Sequence, residues 1–154
     1  LDSLQQVEPG GYIHETHIVK GKGHWMDRAD TVAIAWMAKY KRNALPKEIV
    51  WRQEEVVRPS MYWLGVNPAD ARPGMTVEAE LAGNEVKIVK SDYPKLRVYL
   101  NDKMVDMDKP VKVTYQGRTL FEGKVERTMG CLAKTLQERG DRELMFSGYV
   151  DVKI

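Results

Sequence analysis

The chain has 154 residues, 43% apolar and 30% charged, which suits one ordinary domain, or one domain plus part of another. Its 24 basic side chains are scattered among 22 acidic ones, which excludes the electrostatic footprint of a nucleic-acid-binding protein. The single cysteine, Cys131, excludes an internal disulfide, and the longest nearly apolar run, residues 32–38, is too short to span a bilayer. We therefore expect a soluble protein without a nucleic-acid or membrane partner.

The first 46 residues differ in character from the rest. After a short helical start, a strand is predicted over residues 12–19, and a glycine-rich loop, 21–24, follows it at once. Asp27 is placed to cap a helix that Asn43 and Pro46 end. One face of this helix carries an apolar stripe at helical spacing: Val32, Trp36 and Tyr40.

The remainder of the chain, residues 47–154, reads as strand after strand with turn signals between them. Gly83-Asn84 predicts a tight hairpin. That turn pairs apolar positions across the strands, Leu81 with Val86 and Ala79 with Ile88, so register and apolar face agree. About eight strands are expected, a pattern that favours a mainly β fold, an antiparallel β-sandwich, over a parallel α/β sheet.

A second hairpin is predicted to turn at Gln116-Gly117. This turn sets Leu120 opposite Val113. Farther along the return strand the apolar residues no longer fall on the same face, and one extra residue, a bulge near Gly123, is expected to restore the alternation. One short helix is inserted next, with Thr128 as its N-cap and Gly140 just past its end. In the last predicted strand the apolar residues all occupy even-numbered positions, so they share one face of the strand. They are Leu144, Phe146, Val150, Val152 and Ile154.

Most residue types that carry chemistry have a structural interpretation here. No serine lies in a G-x-S-x-G elbow, and Cys131 sits in an apolar stripe where a core position is expected. His14 and His17 would face opposite sides of the predicted strand, so no metal site is expected. The aspartates 102, 106 and 108 lack the EF-hand pattern, and bonds to nearby backbone amides are the commoner use of such loop carboxylates. No cofactor is indicated.

His24 is the exception among these residues. A predicted strand ends, a glycine loop follows, and the histidine sits in that loop just before a helix. Glycines let the backbone turn sharply and leave an imidazole reachable, an arrangement that suits a general base. Spacing alone supports a surface histidine equally well, so both interpretations stay open at this point.

Residues 15–27 (ETHIVKGKGHWMD), together with Trp36-Met37 and residues 42–46 (RNALP), resemble the C-terminal end of prolyl-oligopeptidase-like or esterase-like α/β-hydrolases. The resemblance implies that His24 is the triad histidine of a parent enzyme, taking the proton of a nucleophilic serine and returning it to the leaving group. In that superfamily the serine and the acid precede the histidine, and this chain contains neither. The chain, which begins at Leu1 rather than Met, is thus expected to be part of something longer.

The stretch after residue 46 resembles the β-rich tail of some large bacterial hydrolases, on the strength of residues 101–111 (NDKMVDMDKPV) and Arg139-Gly140-Asp141. We therefore expect residues 1–46 to be the last strand, histidine loop and last helix of an α/β-hydrolase domain, and residues 47–154 an accessory β-sandwich. Alone, the chain is expected not to be an enzyme. Its expected partners are the upstream hydrolase domain or another copy of itself, and the resemblance implies a periplasmic or secreted parent.

Two alternatives remain. In the first, the sandwich binds carbohydrate through exposed, coplanar aromatic side chains, for which Tyr62, Trp63 and Tyr93 are the candidates. If they are buried, that site does not exist. In the second, the chain is a complete small enzyme built on His24, which requires a carboxylate or hydroxyl from elsewhere in the chain beside the imidazole.

Overall fold

The computed structural model describes all residues from Leu1 to Ile154 and divides into two compact units, Leu1–Arg42 and Asn43–Ile154. The first unit contains α1 (Asp2–Val7), a 3-10 segment (Met26–Thr31) and α2 (Val32–Met37). The second contains one longer helix, α3 (Met129–Arg139), and nine strands. The strands are β1 (Glu48–Arg52), β2 (Ser60–Met61), β3 (Leu64–Gly65), β4 (Thr76–Ala82), β5 (Glu85–Ser91), β6 (Lys95–Leu100), β7 (Val111–Tyr115), β8 (Arg118–Gly123) and β9 (Gly148–Lys153).

The nine strands form two sheets, so the prediction of a mainly β fold is confirmed. One sheet has the order β1-β4-β5-β7-β8 and the other the order β2-β3-β6-β9. All pairs are antiparallel except β5 and β7, which are parallel. The chain leaves the five-stranded sheet after β5, contributes β6 to the other sheet and then returns to β7 in the same direction. This pair is the one departure from the antiparallel pairing that the sequence predicts.

A single core joins the two sheets. In several strands alternate residues are buried, as in β9, where Gly148, Val150 and Val152 are buried and the residues between them exposed. Both sheets contribute to one cluster, whose largest fully buried members are Trp63, Phe146, Leu64, Ile88, Leu96 and Leu100. Trp63 also donates its indole N–H to the carbonyl oxygen of Pro46 at 2.7 Å, so its polar atom is satisfied inside the core. Burial of this cluster is the main source of stability for the second unit.

The first predicted hairpin is confirmed in register: Leu81 pairs with Val86, and Ala79 with Ile88. The second hairpin is confirmed as a bulged pair, but the bulge is misplaced. Val113 pairs with Phe121 and Thr114 with Thr119, which leaves Leu120 as the extra residue. The bulge thus falls at Leu120 rather than near Gly123, and one residue of slip changes which side chain opposes Val113.

Residues 60–65 form a tight hairpin. Met61 pairs with Leu64, and Tyr62 turns the chain with a φ of 50°. The carbonyl oxygen of Tyr62 accepts a hydrogen bond from Nη1 of Arg139, the last residue of α3. The Arg139 guanidinium carbon lies 4.9 Å from the centre of the Tyr99 ring. The strained turn at Tyr62 is therefore stabilised by a partly buried arginine that is distant in the sequence.

Helix α3 begins and ends where the sequence predicts. The hydroxyl oxygen of Thr128 accepts a hydrogen bond from the backbone N–H of Cys131 at 3.1 Å, and Gly140 ends the helix in the left-handed conformation with a φ of 61°. Cys131 is buried, which confirms the core interpretation. The final strand, however, is shorter than predicted, because residues Arg142–Leu144 form a 3-10 turn.

Removing the cap of α3 should destabilise the second unit. Thr128→Ala deletes the only side chain that accepts a hydrogen bond at the helix N-terminus, and we expect the free energy of unfolding to fall by about 1 kcal/mol. Chemical denaturation followed by far-UV circular dichroism measures the change. Thr128→Ser keeps the acceptor and should stay close to the unsubstituted chain, so an equal loss in both variants would contradict the capping role.

The first unit differs most from expectation. Residues 12–19 form no strand, although the sequence favours one, because a strand needs a hydrogen-bonding neighbour and this unit contains none. Asp27 does not cap a helix: it has a φ of 47° and pairs with Lys22 at 2.5 Å. The α-helix starts only at Val32, and Trp36 and Tyr40 of the predicted stripe are in contact, with ring centres 4.9 Å apart. No helix of the chain has the length and apolar character needed to cross a membrane.

Candidate functional site

His24 lies in the loop between residue 19 and the 3-10 segment, and it is exposed. Gly21 allows the loop to turn, with a φ of 70°. The imidazole stands edge-on to the indole of Trp25, with ring centres 5.4 Å apart. No side chain of the chain forms a hydrogen bond or ion pair with His24. The loop therefore offers a reachable imidazole with both nitrogens free, but it supplies neither the hydroxyl nor the carboxylate that a complete hydrolytic site requires.

The backbone just after His24 is strained. Met26, Asp27 and Arg28 have φ values of 43°, 47° and 66°, a region that residues with a side chain rarely adopt. Three such residues in succession cost several kcal/mol, on the order of 1–3 each. Conformations of this kind persist where surrounding structure holds them, and they concentrate at functional sites.

The first unit has no core of its own, because none of its residues is buried. Trp25 is 85% exposed and Ile18 is 83% exposed, values unusual for large apolar side chains. Large apolar side chains exposed in such number within one small unit are typical of a surface that a partner covers. The others in this unit are Leu1, Leu4, Val7, Tyr12, Ile13, Val19, Val32, Ile34, Met37 and Tyr40.

The other two histidines have local partners. Nδ1 of His14 lies 2.7 Å from the carbonyl oxygen of Tyr12, and Nε2 lies 2.7 Å from Oδ1 of Asp2. Both partners accept, so they favour the doubly protonated ring and raise the pKa of His14, the backbone contact most. Nε2 of His17 lies 2.5 Å from Oε1 of Glu15. The structure holds no group of three or more histidine, cysteine or acidic side chains arranged to bind a metal ion.

Three candidate nucleophiles of the second unit, Ser91, Ser147 and Cys131, take structural roles. Ser147 is buried and lies 3.3 Å from the sulfur of Met107. The hydroxyl of Ser91 donates to the carbonyl oxygen of Tyr93 at 2.9 Å. Burial raises the pKa of the Cys131 thiol, which keeps it protonated and unreactive near neutral pH.

The aromatic residues proposed as a sugar platform do not form one. Trp63 is fully buried and Tyr93 is 2% exposed, so neither presents a ring face to solvent. Only Tyr62 of the three is partly exposed. The carbohydrate-binding alternative therefore fails for these residues.

The aspartates 102, 106 and 108 lie around two cations. Nη2 of Arg127 contacts Oδ1 of Asp102 at 2.5 Å, and Nη1 contacts Oδ1 of Asp108 at 2.8 Å. Oδ1 of Asp106 accepts from the backbone N–H of Asp108 at 3.1 Å, which is the expected turn contact. The Arg127 guanidinium holds the pKa of the Asp102 carboxyl below its usual range. Each of the three carboxylates thus has a cation of the chain beside it, either Arg127 or Lys109.

Replacing Arg127 should change how Asp102 titrates. In Arg127→Met we expect the pKa of Asp102 to rise toward its ordinary value, because the hydrogen bond that lowers it is lost. The pair stabilises the fold above about pH 4 and stops doing so as the pH falls through the lowered pKa. Carboxyl-carbon NMR titration reads this directly. Lys109→Met is the control, since Lys109 pairs with Asp106; an unchanged Asp102 in Arg127→Met would contradict the assignment.

A groove of about 790 Å³ lies on the outer face of the four-stranded sheet, where sequence reasoning predicted nothing. Its floor includes Arg97 of β6 and Asp151 of β9, joined by two hydrogen bonds of 2.7 Å. Residues 65–68 line one side and Lys134 and Glu138 of α3 another. The alternation of residues in β6 and β9 could have indicated this groove, because the polar residues between the apolar positions of these strands share the face that points away from the core.

Comparison with known proteins identifies no relative. No protein-family model matches the chain, no curated protein matches it, and no solved structure matches it.

Proposed function

We propose that the chain is the C-terminal part of a serine hydrolase of the esterase or peptidase type and that it is not catalytic by itself. In this proposal the first unit completes the upstream hydrolase domain and supplies His24 as the general base. The serine and the acid come from that domain. The second unit is an accessory module, and the 154 residues alone hydrolyse nothing.

One observation carries the proposal: the exposed His24 loop lies in a unit without a single buried residue. A segment that exposes this much apolar surface is stable only against a partner. An α/β-hydrolase domain offers the required one. Its sheet would pair with residues 12–19, which have strand-forming side chains and no neighbour here, and it would cover the apolar face of α2.

The strain near His24 supports the same proposal. Met26, Asp27 and Arg28 adopt left-handed backbone conformations directly after the histidine. Contacts with a catalytic domain would offset the cost of these conformations.

An activity comparison of two chains tests the proposal. One is the 154-residue chain, and the other is the same chain extended upstream by the residues its gene encodes. Both are assayed with p-nitrophenyl acetate and with an aminoacyl p-nitroanilide, and both are treated with a fluorophosphonate probe that labels activated serines. We expect activity and labelling in the extended chain alone.

Two outcomes would overturn the proposal. Hydrolysis by the 154-residue chain that disappears in His24→Ala would mean that a complete site forms within it. An extended chain that neither hydrolyses these substrates nor takes up the probe would remove the hydrolase assignment. Light scattering on the 154-residue chain tests a different partner for the first unit. A stable dimer would indicate that a second copy of the chain, rather than an upstream domain, covers its apolar side chains.

A further inference from the structure

The groove on the second unit has the dimensions of a ligand site. Its volume of about 790 Å³ falls in the range of small-molecule pockets, roughly 300–1,000 Å³. The Tyr99 ring packs against β3 because residue 65 is glycine: a Cβ there would lie 2.9 Å from Cε2 of Tyr99. Arg97 is fixed from two sides, by Asp151 and by the ring of Tyr149, 3.9 Å from the guanidinium carbon. The floor is therefore rigid and preformed.

The charges of the groove favour an anion. Four cations, Lys95, Arg97, Lys134 and Lys153, line it against two acids, Glu138 and Asp151. Arg97 is neutralised by Asp151, and Lys134 lies 3.8 Å from Glu138. The remaining two lysines are direct cross-strand partners, Lys95 opposite Lys153, and neither forms an ion pair within the chain.

This lysine pair sets like charges opposite each other on neighbouring strands, and neither ammonium group has an ion-pair partner within the chain. A carboxylate bound between the two ammonium groups would remove the repulsion and add charge-assisted hydrogen bonds. The pair thus marks the end of the groove where an acidic group is expected.

The backbone around the floor limits what else the ligand can be. Strands β3 and β6 each have neighbours on both edges, so their N–H and C=O groups are already paired. Strand β2 has a free edge, but it is only two residues long and follows Pro59, which has no N–H to donate. The free edge of β9 lies on the side of that strand away from β6. A ligand lying on the floor of the groove, over β3, β6 and β9, is therefore recognised by side chains rather than by strand pairing.

The available side chains suit a sugar with acid groups. The hydroxyl of Ser60 and the amide nitrogen of Asn67 can bond hydroxyl groups, and Val66 and Pro68 can contact the apolar faces of rings. We propose that the groove binds a short acidic oligosaccharide of uronic-acid type, with a carboxylate held between Lys95 and Lys153. This site is independent of His24 and of the hydrolase proposal.

Isothermal titration calorimetry on the full chain tests the site. The probes are the trimer of galacturonic acid, the neutral trimer of galactose, and triglutamate as an acidic peptide. Lys95→Gln/Lys153→Gln removes the lysine pair. The matched control, Lys47→Gln/Lys90→Gln, removes the same charge from exposed positions beside β1 and on β5, outside the groove. Circular dichroism verifies that both variants are folded.

We expect the galacturonate trimer to bind, the galactose trimer to bind at least tenfold more weakly, and Lys95→Gln/Lys153→Gln to weaken galacturonate binding by about tenfold or more. The control variant should change it less than about twofold, because exposed charges outside a site are screened by salt.

Every other result overturns the site. Absence of galacturonate binding at millimolar concentration removes it, and equal losses in both double variants reduce it to general charge attraction. Tighter binding of triglutamate assigns the groove to acidic peptides. None of these results bears on the activity of the extended chain, so the two proposals fail separately.

Discussion

Replacing His24 by alanine in the upstream-extended chain should lower kcat/KM for ester or amide hydrolysis by about 10⁴-fold or more. In the proposed enzyme the imidazole takes the proton of the serine and gives it to the leaving group. No side chain of this chain forms a hydrogen bond or ion pair with His24, so none is placed to replace it. The loss should fall mainly on kcat, since a base acts in the chemical step. Steady-state kinetics with p-nitrophenyl acetate measures it.

His17→Ala is the matched control, because His17 is another exposed histidine of the same segment and is satisfied by Glu15. It should leave kcat within about twofold of the unsubstituted chain, the range expected of a surface change. Serine labelling by a fluorophosphonate should also fall in His24→Ala. Full activity in that variant would show that the triad histidine lies elsewhere.

Replacing Trp63 by alanine should lower the free energy of unfolding of the second unit by about 3–5 kcal/mol. The side chain is fully buried, and its removal leaves a cavity between the sheets. The carbonyl oxygen of Pro46 also loses its indole partner and becomes unsatisfied. Because domains have only about 5–15 kcal/mol of stability, this single change removes a large share.

Guanidinium denaturation followed by far-UV circular dichroism measures the effect without relying on tryptophan fluorescence. Trp25→Ala is the control, since Trp25 is 85% exposed. We expect it to shift the unfolding free energy by less than about 0.5 kcal/mol. Comparable losses in the two variants would mean that Trp63 is not part of the core that stabilises the fold.

The sequence predicts the second unit well where signals are local. The hairpin at Gly83-Asn84 follows from a turn pair flanked by apolar residues at matching parity, and α3 from a threonine cap and a terminal glycine. Each of these devices acts within a few residues. The predicted position of the bulge in the second hairpin is wrong, because a change in the alternation of apolar residues indicates that the strand has an extra residue but not which residue it is.

The features that were missed depend on distant residues. The parallel pairing of β5 with β7 requires the path of the intervening chain, which periodicity does not encode. The turn at Tyr62 depends on Arg139, whose contact lies 77 residues away in sequence. In the first unit, residues 12–19 have strand-forming side chains but no neighbouring strand to pair with, so they stay irregular. Similarly, the groove emerges only when β6 and β9 are side by side.

The contact between Arg139 and Tyr62 joins one side of the groove to another. The β2–β3 hairpin leads into residues 65–68 on one side of the groove, and α3 supplies Lys134 and Glu138 on another. The Arg139 guanidinium holds the hairpin and the helix together through its hydrogen bond to Tyr62. Neither element can open without breaking that contact and exposing the rings beneath it. Amide hydrogens of the hairpin and of the last turn of α3 should therefore exchange with solvent through a shared opening event. In folding, the hairpin and the helix end should lock together, late, after the strands that separate them have paired.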